Sequence, residues 1–369
     1  MLTGRPSLVM LLATVALVAS CSSSPSSSST PAASADSGLR AVDVAEPAGI
    51  AQTTRTHGEN CVADLNGDGE NDLILSAHEN PWPVYLGNGN GTFSLDPQFT
   101  LQPRDRHGCA VADYNGDGRL DLVVTNHEFE THSLFRNDGG GVFTDTTVES
   151  GLGPATLPFV GFGVVFFDFD NSGALDLAIV NGHVIDNTAL FRAGSTHAQR
   201  KLLFRNLNGR RLQEIGGAAG PGFARAAVGR TLIAGDIDND GDLDLLVTNN
   251  GQPPELLRNR TSGGNAILLR LIGVAGNRDA LGARVSVTAG GRTQVREVKS
   301  GSSYLGQNDL RLHVGLGTAT SVDRVDIRWP GGRVERLETM PANRIVTVQE
   351  GRGVTASVAF ARAARSVTP

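Results

Sequence analysis

The chain has 369 residues, a formal charge of −6, 46 Gly and 16 Pro, and its aromatic bulk is limited to 14 Phe, 3 Tyr and 2 Trp. That length supports sizeable cores, and glycine without an every-third-residue period excludes collagen. A hydrophobic fraction of 40 % fits neither a disordered nor a multi-span membrane chain, and the 32 basic residues form no block that would hold nucleic acid.

The first twenty residues read as an export signal. Arg5 gives a positive start, Leu8 to Ala19 is apolar apart from Thr14, and Leu17-Val-Ala-Ser-Cys21 ends the run with small residues. This end resembles a bacterial lipoprotein lipobox, in which Cys21 is acylated and becomes the mature N-terminus. The alternative is an ordinary secretory signal at residues 1–20 with an incidental cysteine. Residues 21–38 are Ser/Pro/Ala-rich, a flexible tether between membrane and domain. The expectation is an exported, lipid-anchored protein of the cell envelope, facing periplasm or exterior and touching the membrane through its lipid only.

From residue 39 the chain repeats itself. Four nine-residue stretches begin at Asp64, Asp113, Asp168 and Asp236, with spacings of 49, 55 and 68 residues. An apolar run precedes each and another follows. A third run comes later (Val84-Tyr-Leu, Leu134-Phe-Arg-Asn137, Leu203-Phe-Arg-Asn206, Leu256-Leu-Arg-Asn259), and in three repeats a fourth starts after Gly/Asn turns. Short runs bounded by turn residues are strands, and four antiparallel strands make a propeller blade. The fourth repeat lacks its last strand. Residues 39–50, similar in character to Phe143–Leu152, are expected to supply it and close a four-bladed ring over residues 39–262; an open ring or extra blades are the alternatives.

The nine-residue loops carry the chemical signal. Calcium takes six to eight oxygens, many from carboxylates. Positions 1, 3, 5 and 9 offer side-chain oxygens and position 7 its carbonyl. In chain order these are Asp64, Asn66, Asp68, Glu70 and Asp72; Asp113, Asn115, Asp117, Arg119 and Asp121; Asp168, Asp170, Ser172, Ala174 and Asp176; and Asp236, Asp238, Asp240, Asp242 and Asp244. Position 6 is always glycine, which permits the sharp bend. Position 12 is apolar rather than the Glu of an EF-hand, so up to four strand–loop–strand Ca2+ sites are expected, structural in role. Ser172 makes the third loop the poorest set. All four loops lie between first and second strands and hence on one rim. Recognition is then expected on the longer connections, of which Asn181 to Lys201, with His183, Asp186, Arg192 and His197, is the largest.

Residues 264–350 alternate apolar and polar around Gly290-Gly291 and Gly331-Gly332 turns, which reads as a small β-sandwich-like domain. Residues 351–369 read as a loose tail. Cys61 and Cys109 precede successive loops and either pair or remain buried thiols. His57, His78, His107, His127, His132 and His183 sit at strand ends or connections, where a histidine metal site competes with simple repetition.

The loops and the Leu-Phe-Arg-Asn runs resemble FG-GAP/VCBS repeats, calcium-binding blades also seen in integrin α-subunits. Four C-terminal stretches, Gly276–Val285, Ser300–Leu305, Gln307–Gly317 and Val325–Gly331, resemble the ASPIC/UnbV domain of cartilage-acidic-protein-like proteins. This resemblance implies calcium binding and an extracellular setting, and it brings no defined reaction. Such proteins usually carry more than four repeats.

No Gly-x-Ser-x-Gly, His-Glu-x-x-His or phosphate loop occurs. The expected function is therefore a calcium-stabilised binding or adhesion module without catalysis, recognising an extracellular protein or a glycan. The alternatives are a propeller lyase or hydrolase seated around His183 and Asp186, and a structural envelope subunit.

Overall fold

A computed structural model describes residues 44–50, 60–75, 82–101, 106–190, 192–261 and 263–361. Cys21, the signal, the tether, His57, His78 and residues 39–43 and 362–369 lie outside the described residues. The protein is all-β, built of propeller-type blades followed by a sandwich. Blade one is β1 (Cys61–Ala63), β2 (Asp72–Ile74), β3 (Trp82–Gly87) and β4 (Phe93–Leu101), hydrogen-bonded in that order. Blade two repeats the meander with β5 (Arg106–Ala112), β6 (Asp121–Asn126), β7 (Ser133–Gly139) and β8 (Val142–Asp145). Blade three is β9 (Gly161–Phe167), β10 (Asp176–Asn181), β11 (Leu202–Leu207) and β12 (Arg211–Glu214). Blade four has three strands, β13 (Gly229–Gly235), β14 (Asp244–Asn249) and β15 (Gln252–Leu257).

The blades stack through three apolar cores in succession, and strand parity decides which residue enters which core. Counting back from the first loop aspartate, even positions of the inner strand face the previous blade and odd positions the next. Ala110 and Val164 meet between blades two and three, and Val165 and Leu232 between three and four. Cys61 is odd and Cys109 even, so the one-residue offset places both in the core between blades one and two. They form a disulfide, with Cα atoms 6.5 Å apart.

The expected closing strand over residues 39–50 needs correction in its described part. Val44–Ile50 is a turn, because Pro47 and Gly49 (φ 84°) bend it, and it packs on blade one, where the Phe93 N–H donates to the Ala48 carbonyl at 2.8 Å. It reproduces the turn at Thr146–Gly151 (Gly151 φ 87°), whose Ser150 carbonyl accepts the Leu212 N–H.

The remaining strands are β16 (Asn265–Ile272), β17 (Arg284–Ala289), β18 (Arg292–Glu297), β19 (Leu312–Gly317), β20 (Ser321–Val322), β21 (Arg324–Arg328), β22 (Val334–Leu337), β23 (Met340–Pro341), β24 (Arg344–Gln349) and β25 (Gly353–Ala359). They make two four-stranded sheets, β19-β16-β24-β25 and β18-β17-β21-β22, and a small β20-β23 pair. Ile267, Leu269, Val285, Val287, Ile327, Trp329 and Val346 fill the space between the large sheets. The reading of 351–369 as a loose tail fails for its first part. β25 pairs with β24, and the Phe360 ring packs on Gly241 of the fourth loop. No helix among the described residues is long and apolar enough to cross a membrane.

Candidate metal centres and the two rims

Each loop bends around its first aspartate. Asp64 accepts the N–H groups of Gly67 and Gly69 at 2.7 and 3.0 Å, and Asp113, Asp168 and Asp236 likewise accept the N–H of the sixth-position glycine, at 2.9, 2.7 and 3.0 Å. Those glycines have φ of 96°, 88°, 90° and 90°, a region costly for any residue with a Cβ. The fifth side chain accepts the N–H of position 7 in every loop: Asp68 from Glu70, Asp117 from Arg119, Ser172 from Ala174 and Asp240 from Asp242. Position 9 pins the loop to the blade. One oxygen of Asp72, Asp121, Asp176 and Asp244 accepts the N–H of position 2, and the other accepts an N–H in or just past the third strand, from Gly87, Asn137, Asn206 and Asn259 at 2.9, 2.8, 2.7 and 2.7 Å.

In the third and fourth loops three carboxylates converge. Oxygens of Asp168, Asp170 and Asp176, and those of Asp236, Asp238 and Asp244, each lie within 4.8 Å of one another. The first and second loops carry Asn66 and Asn115 at the corresponding position, so their sets combine carboxylates with an amide oxygen. Burial dominates the electrostatics. It pushes Asp72 up to about 6, Asp168 to about 7, and Asp121 and Asp176 to about 8, with neighbouring loop aspartates adding to the rise. Oxygen-only donors on a tight loop, crowded enough to resist ionisation, suit a hard divalent cation. A calcium ion would be held there by the side chains of positions 1, 3, 5 and 9 with the carbonyl of position 7.

Nothing in the spacing of the repeats signals that this rim is covered. The C-terminal sandwich sits on it and presents cations. Arg284 donates to the Gly118 carbonyl, with its guanidinium 3.9 Å from Asp64. The Arg328 guanidinium lies against Gly69, Arg311 donates to the Asp236 carbonyl at 2.6 Å, and His313 reaches the Gly241 carbonyl at 3.1 Å. Arg296 is half-buried, and the charges of Asp168 and Asp113 act on its guanidinium. The sandwich also sends a loop between the inner strands. Ser303 pairs with Cys109 through both backbone groups and accepts the Val164 N–H on its hydroxyl at 3.0 Å, while Asn308 and Asp309 bond Ala234.

The far rim is different. His107, Phe162 and Arg230, each six residues before its loop, stack in series, with His107 and Phe162 centroids 4.1 Å apart and the Arg230 guanidinium 4.0 Å over Phe162. This equal spacing was a signal available in the repeats. The long connection is anchored there by Glu128, whose buried carboxylate accepts from His183 at 3.2 Å, Arg192 at 2.8 Å and Ser195 at 2.6 Å. Those bonds hold it below the usual carboxylate range. His183 is thus committed at both nitrogens, since its Nδ1 accepts the Ile185 N–H at 2.9 Å. It is a poor seat for a catalytic base, and Asp186 is exposed beside it. The histidines of this rim do not meet as a metal-binding cluster among the described residues.

Comparisons with known proteins agree with this organisation. Residues 64–124 and 113–179 match the family described as FG-GAP-like repeat, residues 228–269 the FG-GAP repeat, and residues 273–355 ASPIC and UnbV. Over 116 residues the chain is 33 % identical to cartilage acidic protein 1 of Mus musculus and 32 % identical to that of Homo sapiens. The match spans 31 % of this chain and 15 % of each relative. Among solved structures, an Agrocybe aegerita lectin recognising non-reducing terminal N-acetylglucosamine aligns at 18 % identity and TM-score 0.32, over 54 % of this chain and 51 % of its own. The V. cholerae biofilm matrix protein Bap1 aligns at 12 % identity and TM-score 0.30, over 81 % and 49 %.

Proposed function

We propose that the protein is a calcium-stabilised, non-catalytic binding module displayed on the cell envelope, with Cys21 as its lipid anchor. The observation that carries this reading is the convergence of loop carboxylates on a rim the sandwich already covers. Calcium there stiffens the blades and leaves the opposite rim for an extracellular protein or glycan. The Cys61–Cys109 disulfide fits an exported protein.

Sites of this extracellular kind bind at about 10⁻⁴ to 10⁻³ M. At millimolar calcium each filled loop then adds on the order of 1 kcal/mol. Calcium should raise the melting temperature of the protein and a chelator should lower it. Asp240→Ala should remove part of that shift while the other blades keep theirs, because stacked repeats contact mainly their neighbours. Melting that ignores both calcium and chelator would reduce the loops to plain turns. A pull-down with and without calcium tests the binding role, and a partner captured only with calcium present supports it.

A further inference from the structure

We propose that the rim opposite the calcium loops holds a site for an uncharged sugar unit of a glycan, walled by His127 and Phe129 on one side and by Ile185 and Arg192 on the other. This inference rests on the binding-module reading and names its ligand class. These residues line a recess of about 520 Å3, within the range of small-ligand sites, about 300 to 1,000 Å3.

Phe129 is the first reason. Its backbone has φ of 65° and its side chain is 61 % exposed. A bulky residue in the left-handed region is strained, and an exposed ring returns little of that cost through burial. The conformation is nevertheless enforced. The Phe129 N–H donates to the Leu157 carbonyl at 2.7 Å, and the Glu130 N–H to that of His127 at 3.2 Å. His127 is the second reason. Its imidazole is half-buried between His107 and His183, with centroids 6.3 and 5.2 Å away, and neither ring nitrogen has a hydrogen-bond partner among the described residues. The third reason is the Glu128 anchor, which spends a buried carboxylate on holding the long connection as the opposite wall.

Charge selects the ligand. Glu128 is already matched by Arg192, so this pair leaves neither a spare cation for an anionic ligand nor a spare carboxylate for a cationic one. The Arg192 guanidinium lies 5.4 Å from the Phe129 ring and takes the place a cationic ligand would seek. What fits is a neutral molecule with one apolar face for the ring and hydroxyls for the imidazole. A pyranose has both.

The test uses the purified chain with calcium on an array of uncharged hexose- and N-acetylhexosamine-terminated oligosaccharides beside uronate-terminated counterparts, followed by calorimetry on the best binder. Phe129→Gly removes the ring and relieves the strained φ, so it should melt at or above the wild type while affinity falls at least tenfold. His127→Ala should weaken binding in the same direction with unchanged melting. Unchanged affinity in Phe129→Gly, preference for the uronates, or no sugar bound by the wild type would each overturn the proposal. If no sugar binds but a protein is captured in the calcium-dependent pull-down, this inference falls and the binding-module reading stands. If neither occurs, both fall.

Discussion

The ninth-position aspartates do two jobs that conflict without a cation. Each is buried enough to hold a loop against its blade through N–H groups, and each would need to be ionised to bind calcium. Asp121 and Asp176, pushed up to about 8, and Asp168, at about 7, carry folded-state values well above the ordinary carboxylate. A raised folded value means that stability is present below the unfolded value and lost as pH rises through the folded one. Each carboxyl still protonated in the folded chain costs about 1.4 kcal/mol per pH unit over that stretch. The buried histidines act in another window. His132 and His313, lowered to about 3 and about 4, contribute stability above their unfolded value of about 6.5 and lose it only on acidification. In chelator, therefore, the melting temperature should fall from pH 6.5 to 8.5. In saturating calcium that fall should vanish, because the ion replaces the proton. Parallel melting curves in the two conditions would mean that these carboxylates are not metal ligands.

At the level of strands, the Leu-Phe-Arg-Asn run acquires a meaning that spacing could not supply. Its asparagine reaches back to the preceding blade. Asn137 Nδ2 donates to the Leu65 carbonyl at 2.6 Å, Asn206 to that of Tyr114 at 2.8 Å, and Asn259 to that of Phe169 at 2.8 Å. In blade one the corresponding residue, the partner of Asp72, is Gly87, which has no side chain to clasp a blade before it. The sequence held this clue to an unclasped first blade, legible only once the asparagine's partner is known. Asn206→Ala should cost about 2 kcal/mol, because it strands the buried carbonyls of Tyr114 and Leu175. The loss should appear in calcium and in chelator alike, as a lower denaturant midpoint with an unchanged slope. Strands and loops were readable because both follow local rules of alternation and turn chemistry. Whether Cys61 meets Cys109 depended on neighbouring blades presenting opposite faces, which is a tertiary fact.

On the scale of the whole molecule, the sandwich serves as an electrostatic lid. Its presence was legible as alternating strands between paired glycines; its seat was not, since Arg284, Arg296, Arg311 and Arg328 look like ordinary strand arginines until the rim beneath them is seen. Arg296 tests the lid. It donates to the carbonyls of Val295 at 2.9 Å and His313 at 3.4 Å, and its charge faces Asp113 and Asp168. Arg296→Met should cost about 1 kcal/mol in chelator at pH 8, where the carboxylates lose part of their counter-charge. In calcium the cost should be smaller, so the calcium-induced rise in melting temperature should grow. An equal loss in both conditions would mean that Arg296 is a packing residue and not a counter-ion.

The three-stranded fourth blade ends at β15, which has no outer neighbour among the described residues. A naked sheet margin normally invites another chain to add a strand, and repetition of that event makes a fibre. Here the margin reads Gln252-Pro-Pro-Glu-Leu-Leu257, two successive residues that lack an N–H followed by a carboxylate. An incoming strand would find no N–H donor at Pro253 or Pro254. Crowded molecules can therefore slide past one another without polymerising along this margin.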